Sequence, residues 1–324
     1  MAVHRFKPMK ISQPTLVRRD LVALRAGLPL LAGIVLLTGL GGCKRDEQAT
    51  PRPQPAVHNA PPAFSSAAGA PAVTAASAPD TPEKQRQRAW MRAIFGDAYA
   101  PAKDEALFQL DMEGAMEYHQ MTLVSATTLP DGRVAVVVNG KPSDEKGNDL
   151  TDHGAPGVLN VYVLRPAENG WQVSERRENL STMGSWGRIG EVDWIDLGSG
   201  RPGFIVKSGG TWQGNSIDFA DVFELSSPIR GLGSLLRGSS NDGACHPGIE
   251  CWTVESTIRF AEAADASTPA DMLVDFTGKH YHVTEGKDKE SIEHVDSTVQ
   301  QRARYRFDGN AYVLAEGVNP VPEI

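Results

Sequence analysis

Residues 81–324 read as an all-β domain led by one amphipathic helix, built as an antiparallel sandwich, a barrel-like fold or a propeller-like meander. Three observations point there. Beyond residue 130 apolar residues recur every second position; β-branched and aromatic side chains fill those runs; and Gly, Asp, Asn and Pro interrupt them at short intervals. Many short strands with few helices suit a sandwich or an up-and-down sheet.

The helix comes first. Thr81-Pro82-Glu83 offers a capping hydroxyl followed by proline at the first helical position. Trp90, Met91, Ile94 and Phe95 then recur at helical spacing, and Gly96 ends the run. Such a stripe is expected to lid one face of the β core. Strands are expected over 134–138, 158–164, 173–176, 192–197, 204–207, 217–225, 252–260, 272–276 and 302–314. Pro130-Asp131-Gly132, Glu168-Asn169-Gly170 and Asp308-Gly309-Asn310 supply hairpin turns. Two hairpins, around Val161–Val173 and Tyr305–Leu314, carry an aromatic near each turn, a pattern any antiparallel sheet uses. The 244 residues fit one domain, with a soft internal point at 228–243, where Gly and Ser gather.

Upstream, no charged residue falls between Ala26 and Gly42, while Arg5, Lys7, Lys10, Arg18, Arg19 and Arg25 precede that run. Its 17 residues are interrupted by Gly27, Pro29, Gly33 and Gly39 and fall short of the roughly 20 a stable span needs. A basic region followed by a short apolar one reads as a cleaved signal over 1–42. Leu40-Gly41-Gly42-Cys43, at its end, resembles the lipobox of bacterial lipoproteins. The resemblance covers the signal alone. It implies that Cys43 is acylated, palmitate included, and that residues 1–42 are removed. Lys44, where an Asp would imply inner-membrane retention, implies the periplasmic face of the outer membrane. Thr15-Leu16-Val17-Arg18-Arg19-Asp20-Leu21-Val22 also resembles a twin-arginine signal, so export runs by the Sec or the twin-arginine route. Translation starts at Met1 or Met9.

Residues 43–80 read as a tether. Pro, Ala and Ser make up 20 of the 30 residues from 51 to 80, too little apolar surface to offset the entropy of ordering. As a flexible coil, the 37 residues from Lys44 to Asp80 reach roughly 30 to 35 Å on average. The chain carries 32 Lys plus Arg against 40 Asp plus Glu; residues 1–42 hold six of the bases and one acid, so the remainder has a net charge of −13. Such a body repels nucleic acid and anionic membrane surfaces. The partners expected are the outer membrane through the lipid, and an envelope protein or glycan; nucleic acid is not expected.

With Cys43 acylated, Cys245 and Cys251 are the one remaining pair in an oxidising compartment, and Pro247-Gly248 supplies the turn for a disulfide between them. The alternative is a metal site joining His246 to both thiols, which lacks a nearby fourth ligand.

The most unusual local composition is 184–214, with nine glycines and Trp186, Trp194 and Trp212. Glycines let backbone approach closely and exposed indoles offer flat apolar faces, which suits sugars or peptides. The plainer reading places the glycines in bulges and the tryptophans in the core. Trp186, Trp212, Gln213 and Asn215 are the ligand-binding candidates, with a groove expected at 211–215.

His280 and His282 alternate on an expected strand, and His294 approaches from a neighbour; three imidazoles suit zinc or copper, although solvent-facing alternation gives the same pattern. Asp144, Glu145, Asn148, Asp149 and Asp152 crowd one loop and offer oxygens to calcium, but Lys146 stands where a third ligand is wanted. No cofactor is required, with calcium and zinc as the ions the residues admit. The chain has no Gly-x-Ser-x-Gly, no His-Glu-x-x-His, no phosphate loop and no dinucleotide fingerprint; Ser143-Asp144-Glu145-Lys146 matches Ser-x-x-Lys in form only. The expectation is a non-enzymatic, lipid-anchored periplasmic domain that binds an envelope protein, glycan or peptidoglycan fragment. The alternatives are a cell-wall hydrolase or inhibitor, and a structural envelope component.

Overall fold

The structure, a computed structural model, describes residues 80–262 and 267–324. The signal, Cys43 and all of the tether but Asp80 lie outside the described residues. Helix α1 (Pro82–Phe95) forms as its sequence dictates: Thr81 Oγ1 accepts the Lys84 amide at 3.2 Å, and Gly96, at φ 56°, closes it. Its buried face is Trp90, Met91, Ile94 and Phe95.

Among the described residues fourteen strands follow, all antiparallel, in two sheets. The first is a six-stranded meander: β1 (Tyr99–Ala100), β2 (Glu105–Met112), β3 (Ala115–Thr128), β4 (Val134–Pro142), β5 (Gly157–Ala167) and β6 (Gly170–Met183). The second is an eight-stranded meander: β7 (Glu191–Asp196), β8 (Pro202–Trp212), β9 (Asn215–Glu224), β10 (Arg230–Ser240), β11 (Cys251–Phe260), β12 (Met272–Glu285), β13 (Ser291–Phe307) and β14 (Tyr312–Gly317).

The first sheet is the middle layer. Val134, Val136 and Val138 of β4, with Tyr162 and Leu164 of β5, face the α1 stripe. Ala135, Val137, Val161 and Val163 face Phe204, Val206 and Phe223 of the second sheet. Burial on both faces is why β4 and β5 are almost continuously apolar rather than alternating. Each buried α1 side chain contributes roughly 1.5–3 kcal/mol, which fixes the helix as the lid.

The second sheet curls. Laid flat, eight strands span about 34 Å. Yet side chains from β8 and β9 share one cluster with Tyr305 and Tyr312 of β13 and β14, and Tyr312 N lies 3.4 Å from where a Cβ on Gly233 of β10 would stand. The C-terminal segment closes over this curl: Asn319 Nδ2 donates to Leu236 O at 2.8 Å, and Ser239 Oγ donates to Pro322 O at 2.8 Å.

All nine expected strands occur, the range 302–314 dividing into the end of β13, a turn and β14. β1, β2, β3, β10 and the first two thirds of β13 have no counterpart among the expected strands. The Gly- and Ser-rich stretch 228–243 contains β10, bulged between Gly231 and Gly233 and again between Leu236 and Gly238.

Candidate functional site

The two sheets are joined by the corner 184–190, and the chain there is tightly held. Asn139 of β4, itself buried, donates Nδ2 to Gly187 O at 2.8 Å and accepts the Ile189 amide on Oδ1 at 3.0 Å. The Gly187 amide donates to Ala155 O at 2.8 Å, tying the corner to the loop that follows β4. Gly187, at φ 67°, packs so closely that a Cβ would lie 2.6 Å from Thr151 Cγ2 and 2.7 Å from Lys141 Cγ. Glycine is the residue that fits.

Within this corner Trp186 sits at φ 55°, a conformation bulky side chains rarely adopt, with 59% of its surface exposed. Its nearest aromatic neighbour is the His153 ring, 5.9 Å away. A clamped corner thus holds an indole out in solvent.

Trp186 borders a groove of about 720 Å³. Arg188 from the corner, Lys141 from β4, Lys207 from β8, Asp218 from β9 and Arg237 from β10 also line it. The floor comes from cross-strand neighbours: Gly209 on β8 and Gly238 on β10 flank Asp218 in register, leaving room for its carboxylate between them. Arg237 is the extra residue of the second β10 bulge, a device that re-aims a side chain. Through Lys207 and Arg237 the groove continues into a stretch of about 520 Å³ past Ile195, Ile258 and Phe260; through Lys141 and Arg188 it reaches one of about 380 Å³ beside Gln120 and Asn139.

Some charges in the groove are paired, while Glu191, Asp218 and Arg237, which also line it, form no ion pair among the described residues. Lys141 bonds Asp149, holding that carboxyl down at about 2 with help from the Thr151 hydroxyl and amide. Lys207 pairs with Asp193 at 2.5 Å. Around Asp218 the crowding of neighbouring atoms pushes its carboxyl above the ordinary range, against the pull of Arg237. Arg188 is exposed and forms no ion pair among the described residues. Ser256, which lines the second stretch, is 8% exposed, and its buried Oγ has no hydrogen-bond partner within the described chain.

The sequence candidates separate. Trp212, 39% exposed, lies at the β8–β9 hairpin, its ring folded over Gly210. Gln213 (φ 50°) and Gly214 (φ 83°) form the two-residue turn, and Asn215 pairs with Trp212. Gly214 O accepts the Gly243 amide at 3.0 Å, so this tip is docked, and none of Trp212, Gln213 and Asn215 lines the groove with Trp186. Trp194 is half-buried between the sheets: its Nε1 donates to Ser125 Oγ at 2.8 Å and its ring tilts on Phe204.

His282 and His294 are cross-strand partners with rings stacked 5.0 Å apart, yet each imidazole has its own partner: His280 meets Glu250 at 3.1 Å, His282 meets Asp296 at 2.8 Å and His294 meets Thr284 at 2.9 Å. Among the described residues no group of three His, Cys, Asp or Glu side chains is arranged to hold a metal ion. In the acidic loop, Asp144, Asp149 and Asp152 accept bonds from amides two or four residues on, the geometry of turns. Cys245 and Cys251 form a disulfide, with Cα atoms 5.6 Å apart, packed on Tyr281 and Val283.

Lys207, Arg188, Asp218, Arg237 and Ser256 are not among the sequence candidates. The available signals were local: Arg188 between Gly187 and Gly190, Lys207 just before Gly209-Gly210, and Arg237 inside a Gly- and Ser-rich strand. No family model, characterised protein or solved structure matches this chain.

Proposed function

We propose that this chain is a lipid-anchored binding domain of the bacterial envelope that engages a glycan of the cell wall in the groove beside Trp186. The observation that carries the reading is Trp186 itself. A bulky residue at positive φ is strained, and strain of this kind persists where surrounding structure over-determines it, often at ligand sites. Asn139, Thr151 and Ala155 provide that over-determination. A flat indole face packs on a sugar ring, while Asp218, Lys207 and Arg237 along the floor offer acceptors and donors to its hydroxyls. Acylation at Cys43 and the 43–80 tether would let the domain reach from the membrane into the wall.

Sedimentation with insoluble peptidoglycan tests this. The intact domain is expected in the pellet and Trp186→Ala in the supernatant, with unchanged thermal unfolding. Equal sedimentation of the two would remove Trp186 from the site. A wall hydrolase is the second reading, favoured by Asp218, whose raised carboxyl suits a general acid. It requires soluble fragments to appear on incubation and to vanish in Asp218→Asn.

A further inference from the structure

We propose that the groove is selective for a saccharide bearing a carboxylate, with Arg188 pairing that carboxylate while Trp186 stacks on the ring. The proposal rests on the glycan reading above and adds its chemical class.

Of the cations lining the main stretch, Lys141 and Lys207 have carboxylate partners, and Arg237 donates to Ser256 O at 3.4 Å within the field of the Asp218 carboxyl. Arg188 has none among the described residues, and it stands two residues from Trp186 on the same clamped corner. Its backbone is fixed on two sides: a Cβ on Gly157 would lie 2.6 Å from the Arg188 carbonyl carbon, and one on Gly184 would lie 2.1 Å from the Arg188 oxygen. Both residues therefore leave a rigid platform into one cavity. An arginine presents a fork of donors that matches a carboxylate bidentately.

Ser256 is an independent pointer to a hydroxyl-rich ligand. Its buried hydroxyl lacks a partner in the described chain and lines the stretch that Lys207 and Arg237 share with the main groove. Buried polar groups are nearly always satisfied, so an orphan just behind a groove wall marks where a ligand hydroxyl would bond once that wall shifts to admit it. The two contacts fall in adjoining stretches, which suits an oligosaccharide better than a single sugar.

Equilibrium binding to two tetrasaccharides separates the claims: one alternating N-acetylglucosamine with N-acetylmuramic acid, and chitotetraose, which lacks the lactyl carboxylates. The expected result is a preference of about tenfold for the acidic sugar, the worth of one charge-assisted pair. Arg188→Gln should bring that ratio to about one, and Ser256→Ala should weaken the acidic sugar several-fold while the ratio persists. Equal wild-type affinity for the two sugars would overturn the carboxylate proposal and leave the glycan reading standing. Binding of neither would overturn both. A single-stranded oligonucleotide competing as well as the acidic sugar would also overturn the proposal, because the groove would then be reading charge alone.

Discussion

Trp186 is displayed, not packed, and the residues around it hold the display in place. A side chain at φ 55° costs of order 1 kcal/mol or more, and glycine at that position would remove the cost. Trp186→Gly should therefore unfold in urea no earlier than the wild type while losing wall binding, which separates a functional indole from a structural one. Asn139 is the opposite case. It is 6% exposed and makes two bonds to the corner, so Asn139→Ala removes both and strands the Ile189 amide and the Gly187 carbonyl. A loss of about 2–3 kcal/mol in urea denaturation is expected. Wall binding should weaken with it, because the corner that aims Trp186 and Arg188 has lost its clamp.

The elements show where sequence and structure part company. α1 is legible to the residue, because a Thr-Pro start, a four-residue apolar stripe and a terminal glycine each have a local cause. β4, β5, β8 and β9 are legible from apolar runs alone. β2 and the first half of β3 are not: Glu, Ala, Leu, Gln and Met dominate them, residues at ease in helices, and pairing with neighbours overrides that preference. Their turn, Glu113-Gly114, has both φ positive but lacks the Asn or Asp that usually announces it. β13 hides because its first eight residues are all exposed, leaving no apolar alternation to read. Trp186 was legible as a candidate, whereas its groove was not, since Lys207, Asp218, Arg237 and Ser256 meet only through strand pairing. The Cys245–Cys251 link, legible from cysteine arithmetic, closes a short loop between β10 and β11. Replacing both cysteines by serine should cost about 2 kcal/mol in urea denaturation and leave glycan binding intact, because the loop removes little chain entropy and lines no part of the groove.

For the molecule as a whole, one ion cluster ties the second sheet together. Glu224, at the end of β9 and fully buried, bonds Arg201 before β8 and Arg230 at the start of β10, the latter at 2.8 Å. Arg230 also lies 5.4 Å from the centre of the Phe307 ring on β13. Burial pushes the Glu224 carboxyl up, but the two guanidinium groups outweigh burial and hold it below its ordinary 4.5. A group with a lowered folded-state pKa stabilises above its unfolded value, and that stability is lost as pH falls through the folded value. Wild-type unfolding free energy should therefore decline below pH 4.5. Glu224→Gln should be less stable at pH 7 by about 3 kcal/mol and show a shallower acid slope. Chemical denaturation from pH 3 to 7 checks both.

The claim at the centre of this account is that the corner between the two sheets, and not the β8–β9 hairpin, holds the ligand. The chain has six tryptophans, so six indole N–H signals report on it at once in an NMR titration with the acidic tetrasaccharide. The account predicts that the Trp186 signal shifts and saturates while those of Trp212 and Trp90 stay in place. A saturating shift at Trp212 with Trp186 unmoved would contradict it.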